Sequence, residues 1–195
     1  MNFSNNPLAS LPVVVKNLMI VTVICFLAQQ GLPALGFDFT DFFALHHWRS
    51  ELFYPHQFVT YIFLHSTQDF SHLLFNMFGL YMFGRVLEST MGEKKFLMYY
   101  LITGVGAAIV QVISSEVQIQ LLFSELSADA IEYARLHGRE VMRTGVGDSR
   151  FVTDSTFAKY LLLTNSATVG ASGSIFGILM AFGYLFPNAQ LQLLF

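Results

Sequence analysis

The residues with the most to offer chemically are one serine and a histidine–asparagine pair. Ser172 lies in Thr168-Val-Gly-Ala-Ser-Gly-Ser-Ile-Phe-Gly-Ile-Leu-Met-Ala-Phe-Gly-Tyr-Leu-Phe186, between Gly170 and Gly173. Neither glycine carries a side chain, so another backbone can come close to the hydroxyl between them. Far upstream, His72 and Asn76 interrupt an apolar run at a spacing of four, which on a helix puts them on one face, a turn apart. Polar groups inside a membrane are costly and point inward to a partner or a wet cavity. Both side chains donate hydrogen bonds, so the pair is suited to converging on one buried oxygen. The plainer alternative is packing: each polar group bonds a neighbouring backbone carbonyl and holds helices together.

The elements carrying these residues read as membrane helices. Of 195 residues, 54% are hydrophobic and 12% charged, against about 25% charged in an average soluble domain, and the mean hydropathy is +0.54. Uncharged runs cover 17–37, 52–68, 70–84, 96–115 and 160–195. A spanning helix needs roughly 20 apolar residues. The expected fold is an all-α polytopic bundle with spans near 13–32, 70–87, 96–113 and 168–186. The run 52–68 is set aside because Pro55, His56, His65, Gln57 and Gln68 interrupt it. Residues 1–12 read as a short polar tail, and the first span as an uncleaved anchor.

Connections follow from composition. Residues 33–69 hold Phe37, Phe39, Phe42, Phe43, Trp48, Phe53 and Tyr54 beside a few charges, which suits a loop at the headgroup level. More than half of the charges fall within 116–160. There, Ile119, Leu122, Phe123, Leu126, Ala130, Tyr133 and Ala134 at helical spacing predict an amphipathic helix outside the membrane. Arg85, Lys94 and Lys95 sit between spans two and three, against Arg49 alone in the first loop. The positive-inside rule then puts the N-terminus in the cytoplasm and makes Ser172 enter from the outer face. Gly173, Gly177 and Ala181 form a small-residue stripe, as do Gly104 and Ala108, which lets helices approach closely in lipid. A net charge of −3 without a basic patch excludes nucleic acid as a partner. The lone Cys25 reads as packing. No ligand spacing for a metal is present, and no cofactor is expected.

The stretch Leu64-His65, six residues, His72-Leu-Leu-Phe-Asn76, then Gly79, Phe83-Gly84 and Glu88 resembles the second-helix signature of rhomboid intramembrane serine proteases. Gly170-Ala-Ser-Gly173 followed by Ser174-Ile-Phe-Gly177 is similar to their Gly-x-Ser-Gly nucleophile motif. The resemblance implies a rhomboid-like bundle with four of six transmembrane helices present. It makes Ser172 the nucleophile, and His72 and Asn76 the oxyanion donors beside the Ser172 backbone N–H. Gly170 and Gly173 become the flanking binding positions. Each such donor is typically worth about 3 kcal/mol of barrier. The implied substrates are single-pass membrane proteins cut in their transmembrane segments, with the bilayer, in a bacterial cytoplasmic membrane, as the other partner.

Three departures stand against that pattern. The family's general-base histidine belongs to a later helix, placing it outside this chain, so these 195 residues alone are expected to be inactive. His46, His47, His56, His65 and His137 fall in the first loop and the insertion, where they read as bracing. The first loop offers only Trp48–Arg49 for the family's Trp-Arg pair, and the 116–160 connection is long. Two rivals remain at this level. One is a non-catalytic rhomboid-like protein that binds membrane helices; the other is a small transporter using His72 and Asn76 as a polar path, which spans one and three do little to line.

Overall fold

A computed structural model describes residues 11–189. The helices are α1 (Val13–Gly31), α2 (Phe39–Phe43), α3 (Gln57–Thr60), α4 (Phe70–Gly79), α5 (Arg85–Met91), α6 (Glu93–Leu122), α7 (Ala128–Thr144), α8 (Ser149–Val152), α9 (Ser155–Asn165) and α10 (Ser172–Leu185). Tight 3₁₀ turns follow α1 and α3, and a π-helical stretch, Leu80–Gly84, joins α4 to α5. No strand occurs among the described residues; the backbone forms one isolated antiparallel bridge, Leu45 with Thr168. The polar tail expected at 1–12 lies, up to residue 10, outside the described residues, as does the end of the chain from residue 190.

Between Met19 and Ala28 helix α1 is apolar but for Thr22. It buries a narrow stripe of Val15, Leu18, Thr22 and Phe26 and leaves Ile20, Val23, Ile24 and Leu27 exposed, as a helix with apolar surroundings does. Its first turn follows Pro12 and has no side-chain cap of its own. The missing acceptor comes from α5: Val14 N–H and Val15 N–H donate to the Glu88 carboxylate at 2.9 and 2.7 Å. Glu88 is only 3% exposed. A carboxylate here satisfies orphan N–H groups and complements the positive end of the helix dipole.

Helix α6 is the central post, touching α1, α3, α5, α9 and α10. Expected over 96–113, it runs for 30 residues instead. Ser114, Ser115 and Glu116 resemble an end, but no glycine or proline breaks the helix there. Val112, Ser115, Ile119 and Leu122 continue one buried stripe. At 1.5 Å per residue the helix is about 45 Å long, more than the roughly 30 Å hydrocarbon layer. The added turns carry a second core, in which Ile119 and Leu122 pack with Ala130, Ala134, Val141, Phe157, Tyr160 and Leu161. The single amphipathic helix expected from Ile119 to Ala134 is therefore two helices. The chain turns after Leu122, and Ser127 caps α7 by accepting from Ala130 N–H.

Of the four expected spans, two are helices long and apolar enough to cross a bilayer alone: Val13–Leu35, counting the turn after α1, and Glu93–Leu122. The run from Phe70 to Met91 is divided by the π-helical stretch. The helix expected at 168–186 begins at Ser172 and has 14 residues, because Thr168 is tied up in the bridge.

Candidate active site

Ser172 is presented by a short extended segment that the first loop grips. Leu45 and Thr168 exchange both backbone hydrogen bonds, at 3.0 and 2.8 Å, and Gly170 N–H donates to the Tyr61 carbonyl at 3.1 Å. The helix then starts at Ser172, which is exposed. Three backbone ties thus fix the chain just before the hydroxyl.

Below that point α10 seats closely on α6. A Cβ at Gly177 would lie 2.6 Å from Thr103 Cβ, and one at Gly104 would lie 2.5 Å from Ser174 Oγ. These glycines are what let the two backbones meet. Hydrogen bonds complete the seam: Ser174 Oγ donates to the Tyr100 carbonyl (2.8 Å), and Tyr99 Oη to the Gly177 carbonyl (2.8 Å). Tyr61 Oη donates to the Gly104 carbonyl at 2.7 Å. Ser174 is thereby a packing residue, fully buried, while Ser172 two positions earlier is open.

Gly170 is where the two motifs meet. Its φ of +123° lies in the region that favours glycine. A Cβ there would sit 2.7 Å from His72 Cε1, 2.8 Å from His72 Nε2 and 3.8 Å from Ser172 Oγ. The imidazole of α4 and the hydroxyl of α10 therefore flank one point on the surface of a bare Cα. Gly79, one turn beyond Asn76, brings α4 against Ile175 of α10. Asn76 behaves differently from a donor aimed at the same oxygen. Buried at 5% exposure, it donates Nδ2 to the His72 carbonyl at 2.7 Å, which uses one of its two amide protons.

The remaining histidines each have surroundings of their own. His56 Nε2 is 2.9 Å from the Phe42 carbonyl, and His137 packs on Tyr133 with ring centroids 4.7 Å apart. His46 and His47 are buried beside Gln111, Ser115 and Thr168, and burial pushes both below the usual histidine pKa. His47 Nε2 lies 3.4 Å from Glu116 Oε2, without the alignment of a hydrogen bond. Arg49 grips the same carboxylate with two nitrogens at 2.6 and 2.9 Å and lies over the Phe123 ring. The sequence showed Trp48–Arg49 but not this partner, which stands on the unforeseen extension of α6. His65 is fully buried, with its ring centroid 5.2 Å from that of His72. Burial first, then His72, lowers its pKa to about 4. A hollow of about 260 Å³, lined by Gln29, Thr40, Ser66, Thr67 and Gln68 among others, reaches Val169 beside Gly170. Among the described residues no three His, Cys, Asp or Glu side chains group as metal ligands.

Residues 52–124 match the family model described as Rhomboid domain. Over that stretch the chain is similar to the rhomboid family. Over 55 residues the chain is 44% identical to Rhomboid-like protein 11, chloroplastic, of Arabidopsis thaliana. The aligned stretch covers 28% of the chain and 19% of that relative. The described residues form an all-α protein, and its two long apolar helices together with the rhomboid match point to a membrane protein. The family match includes His72 and Asn76 and ends before Ser172, so the serine rests on its own motif and on its place against Gly170.

Proposed function

We propose that this chain is a rhomboid and carries the nucleophile and the oxyanion site of an intramembrane serine protease. The observation that supports this best is the shared position at Gly170, where the edge of His72 and Ser172 Oγ flank one point. Ser172 Oγ attacks a peptide carbonyl of a substrate's transmembrane segment, forming the acyl–enzyme through a tetrahedral oxyanion. His72 and the backbone N–H at the start of α10 stabilise that oxyanion, with the second amide proton of Asn76 as the further donor. Each is worth about 3 kcal/mol. The serine proton passes to a general-base histidine other than the six of these 195 residues. Water for deacylation enters by the hollow beside Val169. In the bilayer the N-terminus lies in the cytoplasm, and cleavage occurs near the outer leaflet, as Arg85, Lys94 and Lys95 favour.

A fluorophosphonate probe on the full-length protein in its membrane tests the assignment, with Ser172→Ala as control and peptide mapping to locate the adduct. Labelling at Ser172 that the substitution abolishes is the expected result. The alternative, a rhomboid-like protein that binds membrane helices without cutting them, is favoured by the Asn76 bond to the His72 carbonyl. An unlabelled Ser172 in correctly folded protein selects that alternative and ends the protease reading.

A further inference from the structure

His65 takes no part in the steps above, yet its surroundings are unusual. It is fully buried at the wall of the hollow beside Val169, with the Phe63 backbone near its ring, yet neither ring nitrogen makes a well-aligned hydrogen bond among the described residues. Its backbone is clamped from both directions by one side chain: His65 N–H donates to Gln29 Oε1 at 3.0 Å, and Gln29 Nε2 donates to the His65 carbonyl at 3.1 Å. Gln29 is itself buried near the end of α1. The clamp fixes where the ring emerges, and the ring packs on His72 at 5.2 Å between centroids, with planes tilted by 55°. The Cε1–Nε2 edge of that same His72 lies against Gly170.

No well-aligned side-chain hydrogen bond fixes the ring, although burial makes such bonds valuable. What the ring supplies is shape. Resting on the protease reading, we propose that His65 is a positioning residue: through ring packing it holds His72 over Gly170, with α1 as its anchor through Gln29. Burial keeps the ring neutral near pH 7, so the packing adds no charge beside the oxyanion site.

The test uses full-length protein in liposomes with a transmembrane peptide substrate, the active sites being counted with the fluorophosphonate. His65→Ala removes the ring; its kcat per labelled site is expected to fall about 10- to 100-fold with KM nearly unchanged, the cost of letting a catalytic group drift by about 1 Å. His65→Phe keeps a ring without nitrogens and restores kcat to within about threefold, whereas Gln29→Ala, which loosens only the clamp, gives a smaller fall of the same kind. A merely structural role would lower the labelled fraction and leave kcat per site intact. Unchanged kcat per site in His65→Ala, or His65→Phe as impaired as His65→Ala, overturns the proposal while the protease reading stands. Should His65→Ala not fold, His65→Phe and Gln29→Ala decide by the same criteria. Wild-type protein that neither labels nor cleaves removes both.

Discussion

Substituting Gly170 with alanine loads the contact on which the site turns. The new Cβ would lie 2.7 Å from His72 Cε1 and 2.8 Å from Nε2, where carbon atoms normally rest about 3.5 Å or more apart. Relief requires the imidazole to retreat by about 0.8 Å or the backbone to shift by as much. The backbone resists too, because φ at this position is +123°, a conformation that costs a residue with a side chain about 1–3 kcal/mol. Gly170→Ala should therefore unfold several degrees lower, and labelling of Ser172 should slow by roughly 100-fold, the usual penalty of a displaced catalytic group. Thermal unfolding in detergent, followed by the fluorescence of Trp48, measures the first effect, and the rate of fluorophosphonate incorporation the second. A cycle with His72→Ala isolates the contact. With the ring gone, only the backbone part of the penalty remains, so the two substitutions should fall short of additivity by about 1 kcal/mol. Strict additivity, or an alanine variant as stable and reactive as wild type, refutes the geometry at Gly170 whatever the protein's activity.

Glu88→Ala strips the acceptor from Val14 and Val15 N–H; losing it should cost about 3 kcal/mol, with Glu88→Gln milder, read as Tm in detergent. Stability should also fall on acidification. His65 titrates near 6.5 when unfolded but at about 4 when folded, so the native chain binds fewer protons between those values. Its contribution, about 3 kcal/mol, is complete above pH 6.5 and is lost as the pH falls towards 4. His46 and His47 add in the same direction. Unfolding midpoints that stay flat from pH 7 to pH 4 would contradict this.

Helix type was legible because apolar runs of this length have few other solutions, and the spacing of Gly173 and Gly177 pointed to the close seam with α6. The end of α6 was not legible. Polar Ser115 looked like a terminus, yet it lies on a buried stripe whose partner, α9, starts forty residues later. The same holds for the cap on α1: the sequence shows Glu88 and an uncapped Val14, but nothing local joins them. At the site, four-residue spacing put His72 and Asn76 on one face correctly. It could not show that the amide would turn back to the His72 carbonyl, a choice made by local geometry rather than by pattern. The bridge from Leu45 to Thr168 had no signal at all, since a single pair of residues makes no alternating run.

That bridge also orders events in time. Leu45 emerges from the ribosome long before Thr168, and the loop between them contains most of the molecule. Contacts this distant in sequence form late, after the closure entropy of the intervening chain has been overcome. The nascent chain can thus complete α1 and α6 while Ser172 is still unplaced. The segment that presents Ser172 is then fixed only when Thr168 docks on Leu45, among the last contacts of the fold.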